Sequence, residues 1–123
     1  MENQPAGGEA GKKLYNLDKL KEMSRDNDAF VKRMVTIFTD RLPSMLERIK
    51  NAHQDKDFKV LYDTAHLLKP SIDSMGITTA RDVIRNIEIL AKENPESPAL
   101  QEDIHKIDTI LMTVFEQLKE EFK

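Results

Sequence analysis

Three histidines and no cysteine define the side-chain nucleophiles and soft metal ligands open to this chain of 123 residues. Without cysteine there is no disulfide framework, no thiolate zinc site and no thiol nucleophile. A neutral imidazole remains, competent as a nucleophile near physiological pH. Of the three, His66 stands out by its setting in Ala65-His66-Leu67-Leu68-Lys69-Pro70-Ser71-Ile72-Asp73-Ser74-Met75-Gly76. Around it Phe58, Leu61, Ala65, Leu68, Ile72 and Met75 recur at alternating spacings of three and four, the stripe of a helix with one buried side. At about 100° per residue, His66 points about 130° from the centre of that stripe and Lys69 about 70° from it, on the same flank. The pair therefore faces water or a partner.

The other two histidines read differently. His53 falls in the last turn of its helix, where the helix dipole favours a cation, and a structural role follows. His105, among Gln101, Glu102 and Asp108, projects about 140° off its own stripe and belongs to a solvated face. Glu102 and His105 form a single Glu-x-x-His, whereas a di-iron bundle needs two such motifs facing inward. Met34, Met45 and Met75 lie on apolar stripes and read as packing residues. No glycine-rich phosphate loop and no Gly-x-Ser-x-Gly is present, so self-contained nucleotide hydrolysis and serine chemistry find no support.

With 39% hydrophobic and 33% charged residues the chain groups with soluble, helix-rich domains. The net charge is -3, and Lys and Arg are scattered among Asp and Glu, so no nucleic-acid surface is expected. The start of the chain lacks the apolar run of a secretory signal, and no stretch approaches a membrane span. The expectation is a cytoplasmic protein with neither a nucleic-acid nor a membrane partner.

The elements that must carry His66 follow from the apolar beat. Residues 1–13 are expected to be a flexible tail, because Glu2 to Gly11 hold no periodic apolar residue, and 14–123 a single domain. Leu14, Leu17 and Leu20 start a short amphipathic turn with Asn16 as N-cap, ending near Ser24 and Arg25. Asp26 or Asn27 caps the next helix, with the stripe Val31, Val35, Phe38, Leu42, Met45, Ile49 and Ala52 widened by Phe30, Met34, Ile37 and Leu46. The beat continues through Pro43, which predicts one long helix kinked near Asp40. Gln54 to Asp57 breaks the pattern, and Asp57 can cap the helix of His66. Gly76 closes that helix, and Thr78 or Thr79 opens the next, striped by Ala80, Val83, Ile84, Ile87, Leu90 and Ala91. After Asn94, Pro95 and Pro98, a last helix starts at Ser97 or Pro98, with Leu100, Ile104, Ile107, Leu111, Val114, Leu118 and Phe122 as its stripe. Four amphipathic helices with short connections and no period-two alternation predict an all-α, antiparallel, up-down four-helix bundle with a short N-terminal helix.

The run from Ala65 to Ser71, with Gly76 ten residues beyond the histidine, resembles the signature of histidine-containing phosphotransfer (HPt) domains, which relay phosphoryl groups in multistep two-component signalling. Asp57-Phe58, the segment Ile87-Glu88-Ile89-Leu90-Ala91-Lys92 and the Phe38-Thr39-Asp40-Arg41-Leu42-Pro43 run also sit where the family has similar residues, so the likeness spans Leu14 to Phe122. By this resemblance His66 is the phosphoacceptor and Lys69 lies beside the phosphoryl group. Glu88 matches a position where the family carries Glu or Gln reaching the histidine, and Lys92 adds positive potential; the alternative for both is a charged residue on a solvated face. The family usually has glycine where this chain has Pro70, which cannot donate to the carbonyl of His66 and puts the local backbone and partner choice in question.

Helical spacing puts Lys59, Tyr62, Asp63, Pro70 and Asp73 on the flank of His66 as a small docking surface. Asp63 would favour and Lys69 oppose protonation of the ring. The resemblance implies a monomeric phosphoryl carrier, not a turnover enzyme, whose partners are response-regulator receiver domains and a hybrid sensor histidine kinase. It carries no cofactor of its own, the magnesium ion being expected on the receiver. Two competing readings are a helical adaptor that docks receivers or kinases without phosphotransfer, and the phosphoacceptor domain of a histidine kinase separated from its catalytic parts.

Overall fold

The computed structural model describes residues 12–123. Five helices follow one another: α1 (Asp18–Met23), α2 (Asp28–Gln54), α3 (Phe58–Ser74), α4 (Thr78–Glu93) and α5 (Pro98–Glu121), with no strand among the described residues. The expected tail lies outside these residues as far as Gly11.

Local chemistry sets the helix limits. Asn27 Oδ1 accepts from the Phe30 N–H at 3.1 Å, Asp57 Oδ1 from Val60 at 3.3 Å and Ser97 Oγ from Ala99 at 3.1 Å, each satisfying an N–H that has no partner inside its helix. Asn16 Oδ1 accepts from Asp18 at 2.8 Å, although Leu17 holds the cap position of α1. Thr78 opens α4 as its first helical residue, as expected, and Ile77 occupies the N-cap without a side-chain cap hydrogen bond. Ile77 is wholly buried, so packing and not a side-chain oxygen fixes where α4 begins. The C-terminal ends close through left-handed residues: Arg25 and Asp26 after α1, Lys56 after α2 and Gly76, at φ +61°, after α3. α2 runs unbroken through Pro43.

Helices α2 and α4 each pack on both α3 and α5, so the four long helices close a ring around one core. Its centre is built by Leu42 and Ile49 of α2, Leu61 and Leu68 of α3, Ile87 of α4, and Ile107 and Leu111 of α5, all buried. One part of the α2 stripe is narrower than its sequence implies. Phe30 and Ile37 are 39% and 37% exposed, and Met34 and Met45 are only partly covered.

Ahead of α1, residues 12–17 form a strap across the bundle. The Leu14 N–H donates to Gln117 Oε1 at 2.9 Å, and the Asn16 N–H to the Met75 carbonyl at 2.9 Å. Tyr15 is buried and its hydroxyl donates to Glu121. Burial, then the Glu121 contact, pushes the Tyr15 hydroxyl well above its usual range. The Tyr15 bond, aided by Lys13, holds the Glu121 carboxyl below its own. The strap thereby fixes the turn at the end of the helix that carries His66.

Candidate functional site

Burial of Leu61, Ala65, Leu68 and Ile72 orients α3, and every residue between them is placed by that choice. His66 emerges on the open face, its side chain 61% exposed. On α4, Ala80, Ile84, Ile87 and Ala91 turn to the core, which brings the neighbouring Glu88 to the α3–α4 seam with its side chain only 8% exposed.

Glu88 meets both predicted residues of α3. One carboxylate oxygen faces His66 Nδ1, and the other accepts from Lys69 Nζ at 2.8 Å. Burial pushes the Glu88 carboxyl up, but the hydrogen bonds and charges of Lys69 and His66 outweigh it and hold the group below the usual carboxylate range. An ionised carboxylate only accepts, so Nδ1 carries the ring proton in this contact. When the ring is neutral, its lone pair is then on Nε2, the nitrogen away from Glu88.

The neighbouring residues divide between the two sides of His66. Tyr62, one turn earlier and half-buried, stacks on the imidazole with ring centroids 5.9 Å apart and planes 8° from parallel. Lys92, exposed on α4, holds its ammonium 5.8 Å from the centre of the Tyr62 ring. Asp63 is bound by Lys59 at 2.9 Å, and Asp73 by Arg81 at 3.2 Å. The charges of the expected docking flank are thus largely compensated within the chain. Pro70 is exposed inside a continuous α3 and leaves the His66 carbonyl without its helical N–H.

On the other side, a groove of about 160 Å³ opens between α2 and α3, lined by Met34, Ile37, Arg41, Met45, Leu67 and Ser71 among others. Leu67, next to the histidine, is 61% exposed. Sequence reasoning named neither Leu67 nor the groove; the signal was an apolar residue standing off the stripe of α3. His53 stays at the end of α2, and both Glu102 and His105 are exposed on α5, so their Glu-x-x-His does not face the bundle interior. No helix is long and apolar enough to cross a membrane among the described residues.

The fold is a helical bundle with His66 exposed on α3 beside the buried carboxylate of Glu88 and the ammonium of Lys69. A family model described as the Hpt domain matches residues 33–122, which covers α3, α4, α5 and most of α2. The chain belongs to the Hpt domain family and, with it, to phosphorelay signalling. No curated protein and no solved structure matches the chain.

Proposed function

We propose that this protein is a phosphoryl carrier that accepts a phosphoryl group from the aspartate of one receiver domain on His66 and returns it to another. The observation that carries the proposal is the contact of Glu88 with His66 Nδ1, which leaves Nε2 as the exposed nucleophile. The Nε2 lone pair attacks the phosphorus of an aspartyl phosphate. The Nε2–P bond forms as the P–O bond to the aspartyl group breaks, and the aspartate leaves as a carboxylate. The Nδ1 proton stays in place, and the positive charge that the ring gains faces the Glu88 carboxylate. In the return step a second aspartate attacks phosphorus and the electron pair goes back to Nε2.

Lys69 supports the step from the same flank, since an ammonium one turn beyond the histidine offsets charge on the transferred group. Magnesium enters with the receiver, whose carboxylates hold it. Each phosphoryl group that arrives leaves again, so the chain is a relay intermediate with no free substrate to turn over.

The receiver docks over His66. Lys59, Asp63 and Asp73 supply the polar side of this surface, with Pro70 between them and the histidine, and the groove beside Leu67 supplies the apolar side. Continuity with the histidine commits that groove to the receiver, whose aspartate must come within bonding reach of Nε2. A panel of phosphorylated receivers and kinase domains mixed with the protein tests the reading. Label passing from a receiver to His66 supports it. Tight receiver binding without label supports a docking adaptor, and label from a kinase domain and ATP alone supports a detached kinase phosphoacceptor domain.

A further inference from the structure

We propose that Tyr62 is a positioning residue for the His66 ring, and that Lys92 acts through Tyr62 and not on the phosphoryl group. The inference rests on the reading of His66 as phosphoacceptor.

A hydrogen bond from Nδ1 to Glu88 fixes one atom of the imidazole. Such a bond tolerates roughly 30° of misalignment, so it leaves the ring some play in rotation about its Cβ–Cγ bond. The Nε2 lone pair lies in the plane of the ring, so tilting swings the direction of attack. Transfer to phosphorus requires that lone pair roughly in line with the bond that breaks, and misdirection costs rate. Tyr62 removes this freedom. Its ring lies nearly parallel to the imidazole, 5.9 Å away between centroids, within the range of offset aromatic pairs. Glu88 sets the position of the ring and Tyr62 sets its plane.

Tyr62 has to be held in turn. It sits on the rim of α3, half-buried, where a tyrosine has other rotamers available. Lys92 reaches across from α4 and rests its ammonium 5.8 Å from the Tyr62 centroid, at the outer limit of a cation–π contact. Lys92 follows Glu88 by one turn of α4, so the same helix supplies the group that holds the ring nitrogen and the group that holds the ring's neighbour. The Lys69 ammonium, by contrast, is engaged by Glu88 itself.

Three variants separate this arrangement from a docking or purely structural role. Tyr62→Leu keeps apolar bulk and removes the plane, Tyr62→Phe keeps the ring, and Lys92→Met removes the charge. The rate of single-turnover transfer at saturating receiver is measured beside receiver affinity, and the ring ¹H and ¹⁵N signals of His66 are recorded in the free protein. Tyr62→Leu is expected to slow the saturated rate by about 3- to 10-fold with affinity unchanged, and to shift and broaden the His66 ring signals. Tyr62→Phe restores both. Lys92→Met gives a smaller loss that disappears in the Tyr62→Leu background. The proposal is overturned if Tyr62→Leu changes only receiver affinity, if the His66 signals do not move, or if the Lys92→Met effect persists in full without Tyr62. Should the wild-type protein accept no phosphoryl group from any donor, the reading of His66 fails. The His66 ring signals then still decide whether Tyr62 sets the plane.

Discussion

Lys69 Nζ lies 2.8 Å from Oε1 of Glu88, so the lysine expected beside a phosphoryl group is held by the same carboxylate that faces the ring of His66. The three residues form one charge-coupled unit across the seam of α3 and α4. Glu88→Gln keeps an acceptor but removes the charge that faces the ring and the lysine. We expect phosphotransfer to slow roughly tenfold, the effect of losing about 1.4 kcal/mol of charge-assisted stabilisation in the transition state. Rapid-quench transfer assays measure it, and an unchanged rate would remove Glu88 from the mechanism.

The same carboxylate gives the fold a pH dependence. Its titration in the folded state is depressed below the usual 4.5, so the ionised form is the one the fold favours. This contribution is present in full above the unfolded value and is lost as pH falls through the lower, folded one. Urea unfolding of the wild type should weaken below about pH 4.5 by more than that of Glu88→Gln. Parallel curves for the two proteins would show that Glu88 adds no linkage.

Leu68 and His66 lie two residues apart on one helix and should respond oppositely. Leu68 is 1% exposed, and its truncation to alanine is expected to cost about 2–5 kcal/mol in chemical unfolding. His66→Gln removes an exposed side chain and should change stability by less than about 1 kcal/mol while abolishing phosphorylation. Equal losses of stability would mean that the face of α3 is wrongly assigned.

Gly76 is constrained twice. Its φ is +61°, and a Cβ built there would lie 2.5 Å from the Asn16 carbonyl oxygen and 2.9 Å from its Cβ. Gly76→Ala should destabilise the protein by about 1–3 kcal/mol, through left-handed strain and displacement of the strap. Thermal unfolding tests this, and a melting point equal to wild type would mean that the strap does not close on the turn.

Most of the helical architecture was readable before any coordinates. The stripes to which Val31, Leu61, Ile84 and Leu111 belong repeat with the helical period, and Asn27, Asp57, Ser97 and Gly76 mark helix ends by local hydrogen bonding and backbone preference alone. What escaped depends on contacts distant in sequence. Tyr15 stands off the Leu14, Leu17 and Leu20 spacing, and its hydroxyl meets Glu121, 106 residues away. Phe30 and Ile37 continue the α2 stripe but are exposed, since a stripe does not say how many neighbours will cover it. The seam position of Glu88 was legible only through family resemblance, because a glutamate beside a stripe usually lies in water. The stacking of Tyr62 on His66 follows from side-chain rotamers that helical spacing does not specify.

Leu67 probes the docking surface. Exposed by 61% beside the groove, it contributes little to the core, and Leu67→Ser should leave unfolding within about 0.5 kcal/mol of wild type. Receiver binding should weaken by roughly tenfold if the side chain inserts into the partner. Calorimetric titration with the cognate receiver measures it, and undiminished affinity would move the contact to the Lys59 side.

The central claim concerns one atom, Nε2 of His66. After transfer from a phosphorylated receiver, ³¹P-correlated NMR at neutral to alkaline pH, with His66→Gln as control, identifies the ring nitrogen that carries phosphorus. The account predicts a single phosphohistidine, at Nε2 of His66 and absent from the variant. Phosphorus on Nδ1, on another residue, or nowhere despite a phosphorylated and bound receiver would contradict it.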